Sequence, residues 1–194
     1  MGRLVLNENL SLDGVMQGVG DPDEDRSGGF EHGGWSRPYF DEAMGRTASE
    51  GMGSTGGLLL GRRTYEIFAA YWPHQPDDAI FARFLNSIPK YVASTRLEEP
   101  LEWENSILIK GDVAGETRRL KDQAEKDLLV LGSGGLAQTL MEHGLVDEYQ
   151  LWVHPLVLGR GKRLFREGSA RNPLRLVDSN TSGTGVLLLT YHPA

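Results

Sequence analysis

Cysteine is absent from the 194 residues. Disulfides, thiolate catalysis and cysteine-based zinc sites are therefore excluded, while the redox compartment stays open. An excess of positive charge is missing too. Twenty-seven acidic against twenty basic side chains leave a net charge of −7, which argues against a nucleic-acid surface and a polybasic membrane anchor. No apolar run approaches the length of a spanning helix, and no apolar leader core precedes RLVLNENLSLDG; the expectation is a cytoplasmic protein. Leu6 stands where a myristoylation signal needs Ser or Thr. The five histidines show no metal-ligand spacing. Internal repeats and long linkers are lacking, so residues 1–194 are expected to form a single domain with a sizeable core.

Glycine is plentiful, and its most informative use lies in DLLVLGSGGLAQTLMEHG, residues 127–144. Leu128–Leu131 is a continuous apolar run, as expected of a strand buried on both faces. Gly132-Ser133-Gly134-Gly135 breaks it, and Leu136, Leu140 and Met141 then recur at helical spacing until Gly144. Strand, glycine turn and helix together make an anion site. Backbone N–H groups converge, the helix dipole adds positive potential, and missing Cβ atoms admit a phosphate. Gly132, Gly134 and Ala137 also fit the loose dinucleotide spacing G-x-G-x-x-A. A plain tight turn in an α/β sheet explains the same stretch.

Two further strand ends carry compatible chemistry. Gly57–Leu60 reads as a buried strand, followed by Gly61, Arg62, Arg63 and Thr64 and then a helix bearing Tyr65, Ile67 and Phe68. Two arginines at a helix N-terminus oppose the dipole, and a bound anion would remove the conflict; two solvated side chains are the simpler alternative. Tyr91–Ala93 reads as a strand ending in Ser94, Thr95 and Arg96, which suit a phosphate or an ordinary turn. If these strands are parallel neighbours, Gly61–Thr64, Ser94–Arg96 and Gly132–Leu136 share one sheet edge, where ligands of such sheets bind. That convergence suggests a dinucleotide. Arginines, with Val153 and His154 where the ribose-binding acid would stand, favour NADP over NAD.

The remaining segments complete the pattern. Leu4–Leu10 opens the chain as a strand ended by Ser11–Gly14. The polar stretch Gln17–Gly34 is long for a compact domain and reads as a solvated loop or a mobile lid. Its acids Asp21, Asp23 and Asp25 do not make a calcium loop, because Arg26 and His32 replace the turn glycine and the bidentate acid. Pro38 is expected in the first turn of a helix running to about Ser49, with Asp41 in its first turns beside Trp35 and Phe40. Helices are expected over Asp78–Leu85 and Val113–Lys126, and strands over Ser106–Ile109 and Asp147–Val153. Leu174–Val177 and Val186–Tyr191 form a terminal hairpin. Strands alternating with helices before an antiparallel tail predict an α/β protein, with a mixed, mainly parallel sheet and helices on both faces.

With these motifs in place, SLDG, LLLGRRTYE, YVAST and LLVLGSGGLAQTLMEHGLVDEYQLWVHPLVLG together resemble the dihydrofolate reductase-like superfamily. Within it the chain is most similar to the bacterial riboflavin-biosynthesis reductase branch. The resemblance implies a doubly wound sheet of about eight strands, NADPH as hydride donor, a mobile loop at Gln17–Gly34, and a homodimer. Gly61, Arg62, Arg63 and Thr64 match the family's cofactor turn. Ser94, Thr95 and Arg96 match the strand end that meets the adenosine phosphate, and Gly132, Ser133, Gly134, Gly135 and Leu136 match the pyrophosphate turn. Asp13 and Gly14 would border the nicotinamide. Two departures bear on the substrate. Ala137 replaces an aromatic residue of the folate enzymes, and Trp152-Val153-His154-Pro155 replaces a threonine-bearing strand end.

The reading that follows is an NADPH-dependent reductase of a small heterocyclic or carbonyl substrate, pterin- or pyrimidinone-like. Asp41 is the expected proton donor, and Trp35, Tyr39 and Phe68 are expected to line the substrate pocket. Two alternatives belong to other classes. One is a non-catalytic NADP-binding module. The other is a serine hydrolase using Ser133 with Asp147 and His154, although G-x-S-x-G is absent.

Overall fold

The computed structural model describes residues 1–76 and 78–194. Eight strands form one sheet: β1 (Leu4–Ser11), β2 (Thr55–Gly61), β3 (Lys90–Ala93), β4 (Ser106–Ile109), β5 (Asp127–Leu131), β6 (Glu148–His154), β7 (Leu174–Thr181) and β8 (Leu187–Pro193). Their spatial order is β4-β3-β2-β5-β1-β6-β8-β7. The first six run parallel, and the β7–β8 hairpin pairs antiparallel onto β6. Five helices connect them: α1 (Glu42–Met52), α2 (Arg62–Tyr71), α3 (Ile80–Ser87), α4 (Val113–Gln123) and α5 (Gly134–Glu142).

Strand alternation explains how both faces are covered. Leu59 packs into a core with Leu120 of α4 and Leu140 of α5, whereas its neighbours Leu58 and Leu60 pack on the other face with Tyr65 of α2 and Leu85 of α3. The Leu-rich strands β2 and β5 are thus apolar on both sides, as a parallel sheet under helices requires. A third cluster sets Met44 of α1 against Trp152 of β6 and Val186 and Leu188 beside the hairpin.

Two local differences from the sequence expectation have clear causes. The segment after Trp35 does not enter a helix at Pro38. Arg37–Tyr39 makes one 3-10 turn, Phe40 is extended, and the α-helix begins after Asp41. Asp41 is the N-cap, its carboxylate accepting from the Met44 N–H at 3.0 Å. The polar stretch after β1 also has an apolar centre. Val15, Phe30 and Trp35 are buried together, the Gly34 N–H closes the loop onto the Gly18 carbonyl at 2.7 Å, and Trp35 Nε1 donates to the Gln17 carbonyl. This packing gives the loop its own small core.

Candidate active-site cleft

The order β3-β2-β5 places the three predicted strand ends side by side. They border one cleft of about 1300 Å³ at the carboxyl ends of the strands. Neither α2 nor α5 carries a side-chain N-cap, whereas α1 and α4 are capped by Asp41 and Asp112. The first-turn N–H groups of α2 and α5 thus stay free for a ligand. Gly132 and Ser133 both have positive φ (55° and 62°), which swings the chain from β5 into α5. A side chain at Gly134 would meet the Met16 sulfur at 2.8 Å, while Gly135 faces open space. A side chain at the first would push the flexible end of Met16 aside, and at the second the open face leaves room for a close ligand.

The two glycine turns are bolted together. The Gly61 N–H donates to Ser133 Oγ at 2.9 Å, the Ser133 N–H donates to Thr64 Oγ1 at 3.0 Å, and Ser133 Oγ donates to the Leu131 carbonyl. The single proton of the Ser133 hydroxyl is therefore committed to positioning. Asp147 pairs with Lys121 and the Leu4 N–H, and His154 pairs with Asn9. These three residues do not make the hydrogen-bonded relay that a serine hydrolase needs.

The arginines divide by role. Arg62 pairs with Glu66, and Arg63 pairs with Asp25 of the loop at 3.0 Å and with Ser27 Oγ. Protein carboxylates thus relieve the conflict with the α2 dipole that sequence reasoning gave to a bound anion. Arg96 is exposed at the cleft rim, and among the described residues no ion pair holds it. Ser94 is a turn-former: its Oγ accepts from the Arg96 and Leu97 N–H groups at 3.1 Å each. Thr95 is exposed beside it.

Asp25 anchors the loop, accepting from Arg63, Ser27 and Lys162. Partial burial pushes its pKa up, but the hydrogen bonds from Lys162 and Ser27 outweigh this and hold it at about 2. Asp13 behaves similarly. Desolvation opposes ionisation, yet bonds from Ser11 Oγ and the Leu158 and Gly159 N–H groups hold it at about 2. Asp13 thereby ties the end of β1 to the segment after β6. Neither it nor Gly14 lines the cleft.

Three other expected site residues also lie elsewhere. Asp41 borders a shallow surface depression with Phe40 and Glu42. Its second oxygen accepts from the Gly183 N–H at 2.7 Å. The Met44 N–H bond leads in lowering its pKa, followed by Gly183, so it is a poor acid at neutral pH. Trp35 and Tyr39 set their rings edge-on to His154, at 5.1 and 5.6 Å between centroids, and enclose it. They are wall-builders behind the cleft. Phe68 does line it, with Ile67, Trp72, Phe81, Phe84 and Leu131 forming an apolar side.

The residues that sequence reasoning passed over lie in the middle of β1. Pairing of β1 with β5 stops at Asn7–Leu131, while pairing with β6 continues to Ser11–His154. From Glu8 onward β1 has no strand on its β5 side, and a crevice opens there. Glu8 borders the cleft at 2% exposure, and its Oε1 has no hydrogen-bond partner. Burial pushes its pKa well above the ordinary carboxylate value. Asn7 and Asn9 point to the opposite face of β1 from Glu8 and line the cleft with Gln150 and Trp152 of β6. The available signal was the polar triplet Asn7-Glu8-Asn9 interrupting an otherwise apolar central strand.

An eight-stranded sheet of this order, with a cleft at the carboxyl ends and a C-terminal antiparallel hairpin, defines the dihydrofolate reductase-like fold class. The chain belongs to the RibD C-terminal domain family, which it matches over residues 3–188. It is 30% identical to the uncharacterized protein YyaP of Bacillus subtilis, over 98% of this chain and 94% of that one. A pyrimidine reductase-like protein of Corynebacterium diphtheriae has the same fold, with a TM-score of 0.68, 14% identity, and 100% and 92% coverage of the two chains. So has the Enterococcus faecalis dihydrofolate reductase complexed with NADP(H), with a TM-score of 0.63, 14% identity, and 99% and 96% coverage.

Proposed function

We propose that the protein is an NADPH-dependent reductase of a small, flat heterocyclic or carbonyl substrate of pterin or pyrimidinone type. The observation that carries this reading is the alignment of three anion-compatible strand ends along one cleft, two of them cross-linked through Ser133. The uncapped starts of α2 and α5, the open face of Gly135 and the exposed Arg96 fit a ligand with several phosphates. Family membership among reductase-like domains supports the reaction class.

NADPH, when bound, supplies the hydride. The chain's own residues have two tasks. The turns at Gly61–Thr64 and Gly132–Leu136, with Arg96, hold the phosphates. The apolar side around Phe68 and Phe84 excludes water from the reacting carbon. We also propose a homodimer; the outer hairpin exposes Leu176, Val177 and Leu187.

The test is consumption of NADPH by the purified protein across a panel of pterins, pyrimidinones and quinoid compounds. Turnover with at least one of them supports a reductase. Tight NADPH binding with no turnover on any would favour a non-catalytic module.

A further inference from the structure

The floor of the substrate half of the cleft carries two amides whose orientations are fixed by their neighbours. Glu148 is the starting point. Its Oε2 accepts from Arg3 Nη1 at 2.7 Å, and its Oε1 accepts from Gln150 Nε2 at 2.9 Å. A carboxylate paired with arginine only accepts, so the Gln150 amide must turn its NH₂ toward it. Gln150 Oε1 then faces Asn7 and accepts from Asn7 Nδ2 at 3.1 Å. Asn7 Oδ1 is left over as a free acceptor.

Asn9 is set the other way by His154. That ring is fully buried, its Nε2 lies 2.9 Å from Asn9 Oδ1, and its Nδ1 has no partner. A proton on Nε2 makes the bond and leaves only a lone pair unmatched at Nδ1. The other tautomer would bury an orphan N–H, which folded proteins avoid more strictly than an orphan acceptor. Nε2–H therefore donates to Asn9 Oδ1, and the Asn9 NH₂ is left over as a free donor.

Asn7 and Asn9 are two residues apart on one strand, so both face the cleft about 6.6 Å apart along it. Among the described residues neither Asn7 Oδ1 nor Asn9 Nδ2 has a protein partner. We propose that this pair selects the substrate: a flat cyclic amide that turns its C=O to the Asn9 NH₂ and its ring N–H to Asn7 Oδ1. The inference rests on reading the cleft as that of a reductase. It narrows the substrate class, because a pocket built to hydrogen-bond both groups penalises an isostere that reverses them.

Two near-isosteric probes present opposite orders. 4(3H)-Quinazolinone offers a carbonyl acceptor next to a ring N–H donor. 4-Aminoquinazoline offers an amine donor next to a ring nitrogen acceptor. Calorimetric titration at pH 8, with and without saturating NADPH, should show the wild type preferring the quinazolinone by at least tenfold. Asn9→Asp keeps the acceptor for His154 and presents an acceptor to the cleft in place of the donor. It should cancel or reverse the preference, and Asn7→Leu should reduce it to near unity. Equal affinity for the two probes in the wild type, no binding of the quinazolinone, or a preference that survives Asn9→Asp would overturn the proposal. Failure of NADPH to bind would overturn the reductase reading separately, since the probe preference is also read without cofactor.

Discussion

Gly61 and Ser133, 72 residues apart in the chain, are joined by a 2.9 Å hydrogen bond from the Gly61 N–H to the Ser133 hydroxyl. The bond, with its companion from the Ser133 N–H to Thr64, fixes the spacing between the N-termini of α2 and α5. If both turns hold phosphates, that spacing is part of the cofactor site. Ser133→Ala should therefore weaken NADPH and NADH alike, by roughly three- to tenfold, the value of one neutral hydrogen bond. Calorimetry on both cofactors checks this. An effect on NADPH alone would assign Ser133 to the 2′-phosphate instead.

His154 makes stability depend on acid. Burial holds its folded-state pKa at about 4, against an ordinary value of 6.5. The unfolded chain takes up the proton first, so stability is complete above pH 6.5 and drains as pH falls toward 4. The full loss is on the order of 3 kcal/mol. His154→Gln keeps a donor for Asn9 and does not titrate in that window. Denaturant unfolding at stepped pH should show a flatter slope between pH 6.5 and 4 for this variant.

Glu8 acts in the opposite sense. Its folded-state pKa is raised by burial, so the folded chain binds more protons than the unfolded one above pH 4.5. Stability from this group is full below that value and falls as pH rises. Glu8→Gln keeps the shape and removes the acid. Relative to wild type it should gain stability as pH rises above 4.5, read by denaturant unfolding at stepped pH. Asp41→Asn, away from the cleft, should leave turnover intact. Loss of turnover in Asp41→Asn would restore Asp41 as the proton donor.

Much of this architecture was readable from residue patterns. The apolar runs at Leu58–Leu60 and Leu128–Leu131 announced strands buried on both faces, and the glycine turn after the second announced a helix start. Long, strongly patterned elements carry their own signal. The site was less legible, because side-chain roles depend on partners far away in sequence. Nothing local marks Asp25 as the counter-ion of Arg63, or Gly183 as the partner of Asp41. The triplet Asn7-Glu8-Asn9 looks like a weak strand until the pairing with β5 is seen to stop beside it. Pro38 favoured a helix start, but Asp41 is the stronger N-cap and set the boundary three residues later.

The loop carrying Asp25 is held to α2 by Arg63 and to the segment after β6 by Lys162. If Arg63 also meets a cofactor phosphate, ligand and loop share one cation. Residues 17–34 should then change their hydrogen-exchange protection when NADPH binds, and Asp25→Asn should raise exchange in the free protein. Protection that is the same with and without NADPH would make the segment a plain surface loop.

The most direct test of the central claim is the affinity of NADPH against NADH in wild type and in the Arg62→Ala, Arg63→Ala and Arg96→Ala variants. Arg62 and Arg63 are engaged by Glu66 and Asp25, whereas Arg96 at the rim has no ion pair among the described residues. A 2′-phosphate bonded to a free guanidinium contributes roughly 1.5–3 kcal/mol, so Arg96→Ala should weaken NADPH about ten- to a hundredfold and leave NADH almost unchanged. Arg62→Ala and Arg63→Ala should have smaller effects, and added salt should erode the preference. Calorimetry giving tighter NADPH than NADH in wild type, with the difference lost at Arg96, is the predicted result. Equal affinity for the two cofactors in wild type, or binding of neither, would contradict it.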